Sequence, residues 1–184
     1  EVIEEASIGW GVDVTRVDEA FMGCARQAGG GPNVARQISY RAGLGEAVPA
    51  TTLNMACGSG LRAIDLAYRA VLHDGAHAVI AGGVESMSRV PYLLTDARWG
   101  SKMGAQTVID GMYRDGFACP LADMLMGETA ERLADQYGIS RDEQDAYALR
   151  SQQRAAVAQT EGRFDAQIVP VEVRQGRAVT TLAK

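Results

Sequence analysis
The chain has 184 residues, with 47% hydrophobic and 22% charged side chains, the balance of an ordinary globular protein large enough to bury a core. Its net charge of −5 argues against nucleic acid as a partner, although 18 basic residues leave room for local contacts with phosphates. Three scattered cysteines exclude a disulfide framework and point to a reducing, cytoplasmic compartment; no Cys/His cluster has metal spacing, and no apolar run nears the roughly 20 residues that cross a bilayer.

In chain order, residues 1–8, EVIEEASI, read as the tail of a helix, and the opening does not read as a signal peptide. EAFMGC (19–24) is an apolar run suited to a buried strand. The Gly-rich turn GGGP (29–32) leads into a helix, with Pro32 near its first turn and Gly43 past its end. It lacks the Lys-Ser/Thr of a phosphate-binding P-loop. PATTLNMA (49–56) reads as a second strand, and the helix from Gly58 carries Leu61, Ile64, Tyr68, Val71 and Leu72 along one face. HAVIAGG (77–83) is continuously apolar, the pattern of a parallel strand covered on both faces. This alternation predicts an α/β fold built from crossover units. Residues 86–126 are rich in Met, Gly and Pro without a sustained period, which marks a functional excursion rather than a connecting loop. Helices resume at 127–138, and a capping box of Ser140 and Glu143 opens a longer one. AQIVPVEV (166–173) reads as one more strand, with Pro170 at an edge or bulge.

Cys57 stands at a strand-to-helix turn in NMACGSG (54–60), where Gly58 and Gly60 allow close backbone approach. A helix N-terminus offers unpaired N–H groups and partial positive charge, which favour a thiolate and suit an oxyanion. On chemistry alone the residue is either a nucleophile or a small buried side chain. Cys24 reads as core packing. Cys119 fits either role, the structural one better.

The wider pattern resembles one family. NMACGSGLRAIDLA is similar to the acyl-accepting cysteine motif of the thiolases, the acetyl-CoA acetyltransferases and 3-ketoacyl-CoA thiolases. GPNVARQ resembles the segment ahead of that motif, AGGVESMSRVPYLL the segment after it, and MGETAERLADQYGISRDEQDAYALRSQ and GRFDAQIVPVEV the parts beyond, in the family's order. Gly58, Ser59 and Gly60 stand where condensing enzymes that use acyl carrier proteins have a run of serines, which favours the thiolase branch.

The resemblance implies the layered α/β/α/β/α thiolase fold and an acyltransferase that forms an acyl-thioester on Cys57. Acetyl-CoA or another acyl-CoA and coenzyme A would be substrates, with no permanently bound cofactor and no metal. Phe117 and Met126 match substrate-binding positions lining the acyl pocket, although simple packing explains an apolar side chain at either. It implies a core at 1–85, a loop and helical cover over the coenzyme A pocket at 86–165, and the start of a return strand region at 166–184. GGGP would be a turn beside a dimer interface, and GGVES a buried turn shaping the surroundings of the cysteine. A homo-oligomer, dimer or tetramer, is expected.

The departures are specific. Leu125 stands where many biosynthetic thiolases have His, which leaves a longer-chain substrate open. The two histidines, His73 and His77, match no catalytic histidine of the family and read as surface or capping residues. The chain therefore reads as an N-terminal half whose activating base and second cysteine belong to a complementary C-terminal half. The alternative is a non-catalytic, thiolase-like binding or assembly subunit.

Overall fold
Ala20, Phe21 and Met22 are apolar on both faces of their strand, so the strand must lie between neighbours and beneath cover on each side. In the computed structural model, which describes residues 2–4, 9, 11–100, 102–176 and 178–182, it does. Strand β1 (Glu19–Gly23) is central to a three-stranded sheet, with Ala20, Phe21 and Met22 at most 8% exposed. It pairs parallel with β2 (Ala50–Leu53) in the register Ala20↔Ala50, and parallel with β3 (Val79–Gly83) in the register Glu19↔Val79. Parallel neighbours need crossovers. Helix α1 (Val34–Arg41) supplies the first and α2 (Ser59–His73) the second.

Side chains explain where these elements begin. Asn33 caps α1 by accepting the Arg36 N–H at 3.0 Å, and Thr52 on β2 donates to the same Asn33 oxygen at 2.8 Å. Gly43, beyond the end of α1, has φ +77°, as a helix stop requires. The third strand begins two residues later than its apolar run, because the N–H groups of His77 and Ala78 donate to the Asp18 carboxylate instead of to the sheet. Among the described residues it is also an edge strand, and it is only half-buried where full cover was expected.

Helix α2 meets the sheet through a face different from its large apolar stripe. Ala63 and Ala70 are buried against Phe21, with Leu66 and Ala67 beside them. Leu61, Ile64, Tyr68, Val71 and Leu72 are each at least 50% exposed. Small side chains let the helix lie close to the strands, so the periodicity of large residues marks the opposite face.

From Met87 to Leu125 the chain makes short pieces: single turns and two two-residue ribbons, β4 (Tyr92–Leu93) with β5 (Ile109–Asp110), and β6 (Ala118–Cys119) with β7 (Met124–Leu125). A wide helical turn at Tyr113–Phe117 leads into β6. This first compact unit ends at Met126, and a second takes the chain from Gly127 onward.

In the second unit, α3 (Met126–Tyr137, its first residue belonging to the first unit) is followed by α4 (Arg141–Thr160). Gly138 at φ +63° ends α3, and the expected capping box opens α4: Ser140 N–H donates to Glu143 at 2.8 Å, and Glu143 N–H to Ser140 Oγ at 3.3 Å. The strand expected at 166–173 starts later. Residues 165–167 form a 3₁₀ turn, and Pro170 precedes β8 (Val171–Gln175), which pairs antiparallel with β9 (Ala178–Leu182). Proline has no N–H for a ladder, so the strand starts after it. Of the expected N-terminal helix tail, residues 2–4 are helical and the remainder lies outside the described residues. Among the described residues, no helix is long and apolar enough to cross a membrane.

Candidate active site
The C-terminal ends of β1, β2 and β3 lie side by side, the edge of a parallel sheet where ligands commonly bind. Cys57 stands there, a free thiol on an exposed residue between β2 and α2. The turn that carries it is tight. Ala56 has φ +48°, the left-handed region that L-residues with a Cβ rarely occupy. Asn54 Oδ1 accepts the Ala56 N–H at 2.9 Å, while the buried Ser59 Oγ accepts the Met55 N–H at 2.8 Å and donates to Ala56 O at 2.7 Å.

Two glycines lie against this turn, one facing a flexible side chain and the other facing backbone. A Cβ on Gly58 would come within 2.8 Å of Met55 Cε, and one on Gly23 within 2.7 Å of the Ser59 carbonyl carbon. Gly60, expected to serve close approach, has nothing within 4 Å of its Cβ position. The contact it was expected to allow is made by Gly23, the last residue of β1. The open donors expected at the start of this helix are in part used up. The N–H groups of Gly58 and Ser59 are not open, since they donate to Met55 O at 3.0 Å and Ala56 O at 3.1 Å.

Glu85, just after β3, ties this edge together. Its carboxylate accepts the N–H of Ala25 at 2.9 Å and of Arg26 at 2.7 Å, and takes the Cys24 thiol at 3.5 Å. Burial pushes the Glu85 carboxyl up, but the two backbone donors outweigh it and hold the group below its ordinary range. Burial, then the Glu85 contact, pushes the Cys24 thiol up. Cys24 is a core residue, 5% exposed, as expected. The Gly-Gly-Val-Glu turn is exposed rather than buried. Sequence reasoning gave Glu85 a shaping role without its partners, and it missed Asn54 and Arg26 altogether. An Asx two residues before a left-handed position is a local signal that finds Asn54.

Arg26 connects the edge to Phe117. Its guanidinium lies 5.5 Å from the centroid of the Phe117 ring and against the buried Gly116, and Tyr113 packs edge-on to Phe117 at 5.7 Å. A cavity of about 110 Å³ beside Arg26 is lined by Ala25, Gln27, Pro91, Leu93 and Asp115 among others. Phe117 and Met126 flank the β6–β7 ribbon, whose register Ala118↔Leu125 brings both to the same end of it. Phe117 thus adjoins the residue after Ala25, whose carbonyl accepts from Asn54 at 3.3 Å in the Cys57 turn. Cys119 is half-buried in β6. His73 ends α2, whose 15 residues separate it from Cys57 by roughly 20 Å. Among the described residues, no group of three or more His, Cys, Asp or Glu is placed to hold a metal ion.

The family model described as thiolase, N-terminal domain, matches residues 1–184. The chain belongs to the thiolase family. A probable acetyl-CoA acyltransferase of Staphylococcus epidermidis is 51% identical over 164 residues, 89% of this chain and 42% of that protein. One from Staphylococcus aureus is 47% identical over 165 residues, 90% of this chain and 42% of that protein. The crystal structure of the Bacillus anthracis acetyl-CoA acetyltransferase superposes with a TM-score of 0.93 at 37% identity, covering all of this chain and 46% of that one. The fold is therefore the thiolase fold, and this thiolase chain spans less than half the length of the relatives it matches.

Proposed function
We propose that this chain supplies the nucleophile of a thiolase-type acyltransferase, which moves acyl groups between coenzyme A thioesters through an acyl-Cys57 intermediate. One observation carries the reading: an exposed thiol on a braced left-handed turn at the C-terminal edge of a parallel sheet. A binding module has no need to hold a thiol there at the cost of backbone strain.

In the first half-reaction, the Cys57 thiolate attacks the thioester carbonyl carbon. The C–S bond to coenzyme A breaks, and coenzyme A leaves as a thiolate that takes up a proton. In the second, either coenzyme A sulfur or the α-carbon of a second acyl-CoA takes the acyl group and frees Cys57. Transfer to the α-carbon makes the 3-ketoacyl condensation product. In cleavage, its reverse, the Cys57 thiolate attacks the 3-keto carbon, and the bond between that carbon and the α-carbon breaks. The departing acetyl-CoA enolate takes up a proton on its α-carbon, and coenzyme A sulfur then takes the acyl group from Cys57. The Gly58 and Ser59 amides are committed to the turn, so the tetrahedral oxyanion takes its donors elsewhere. His73 and His77 belong to the far end of the sheet, so the base for Cys57 and the acid–base group for the α-carbon come from outside these residues. Phe117 and Met126 form part of the acyl pocket wall, and the segment after Glu85 forms part of the cover over the coenzyme. The working protein is a homo-oligomer.

Steady-state kinetics of the full-length protein test this. With 3-ketoacyl-CoA and coenzyme A varied together, parallel double-reciprocal lines are expected, and Cys57→Ala and Cys57→Ser each abolish turnover. Intersecting lines, or turnover by Cys57→Ala, would remove the covalent step from Cys57.

A further inference from the structure
The Ala25–Arg26 peptide is held on both of its polar atoms. Its carbonyl accepts from Asn54 Nδ2 at 3.3 Å, and its N–H donates to Glu85 Oε1 at 2.7 Å. Asn54 lies just after β2, the peptide just after β1, and Glu85 just after β3. The three strand ends are thus joined through one peptide group, and the far side of the Asn54 amide holds the left-handed Ala56 through its N–H at 2.9 Å. Both ends of the Asn54 amide are specified, since only its oxygen meets an N–H and only its nitrogen meets a carbonyl.

Resting on the acyl-Cys57 reading, we propose that Asn54 is a positioning residue: it ties the Cys57 turn to the Glu85-anchored peptide and so fixes the direction from which the thiol meets a thioester. An acceptor alone would make the local turn, and Asp or Ser supplies one. Only an amide also donates across to Ala25. Asp at this position would turn a negative oxygen toward that carbonyl, and Ser would not reach it.

Asn54→Ala, Asn54→Asp and Asn54→Ser in the full-length protein separate these functions. Single-turnover acylation by acetyl-CoA falls about 100-fold in all three, the scale of a misplaced reacting group. In the steady state, kcat and kcat/KM fall together with KM little changed. Iodoacetamide, a small reagent that needs an accessible thiol but no fixed approach, labels Cys57 in Asn54→Asp and Asn54→Ser at close to the wild-type rate. Glu85→Gln combined with Asn54→Ala costs no more than Asn54→Ala alone, because both act through the same peptide.

Wild-type acylation rates in Asn54→Asp and Asn54→Ser would overturn the proposal and leave acyl-Cys57 intact. So would loss of acylation accompanied by rapid labelling of Cys24, which would mean the strand ends had merely unfolded. Absence of acyl-Cys57 in the wild-type protein would instead overturn the reading beneath it.

Discussion
Cys24 and Cys57 follow neighbouring strands, yet their surroundings divide their chemistry. Cys24 is buried, donates to Glu85 and has its thiol pushed up, while Cys57 is exposed. Brief iodoacetamide treatment of folded protein should therefore alkylate Cys57 well before Cys24, as read by peptide mass spectrometry. Equal labelling of the two would mean that the β1 end is open in solution. The strained residue between Asn54 and Cys57 makes a second prediction. Ala56→Gly relieves the left-handed strain but frees the unfolded chain, for a net gain of about 0.5 kcal/mol. Ala56→Val costs about 2 kcal/mol, because a branched side chain suffers more at positive φ. Urea unfolding of the two variants gives both values.

At the scale of elements, the packing of α2 turns on Gly23. Gly23→Ala would press a methyl onto the backbone of Ser59 and Gly60, which cannot step aside, and should cost about 2 kcal/mol. Gly60→Ala meets nothing and adds helix propensity, so it should gain up to about 1 kcal/mol. Denaturation midpoints of the two variants should move in opposite directions. This pair also shows what was legible in the sequence. The order of strands and helices, the Ser140–Glu143 capping box and the position of Cys57 were all readable, since each rests on local residue chemistry. The reading failed where a distant partner decides: Asp18 takes the first amides of the third strand, and Ala63 and Ala70 face the sheet in place of the larger residues. Gly23 replaces Gly60 as the close-contact glycine for the same reason. Of the site, the thiol was visible, but the Asn54 and Glu85 bridges were not, because they span 29 to 61 residues of sequence.

For the whole molecule, acid should act through a set of carboxylates. Asp13, Asp18, Asp65, Glu85 and Glu143 all ionise below their ordinary range, so the folded state favours their charged forms. That stability is present above the ordinary values of 3.8 for Asp and 4.5 for Glu, and is lost as pH falls through the lower folded values. Thermal midpoints should fall below about pH 4.5, and Glu85→Gln should flatten part of that fall. The exposed apolar face of α2 has a separate consequence. Residues 1–184 expressed alone should self-associate, and Leu61→Lys with Ile64→Lys should reduce this in sedimentation without altering helix content. The same polypeptide should show no sustained thiolysis, because a thiolase needs acid–base groups that act as one unit with its nucleophile. Acyl transfer to Cys57 tests the central claim most directly. Full-length protein incubated with acetyl-CoA, quenched in acid and mapped by peptide mass spectrometry should carry one acetyl group on the peptide containing Cys57, removable by added coenzyme A. An acetyl group on any other residue, or none on Cys57 in protein that turns substrate over, would contradict it.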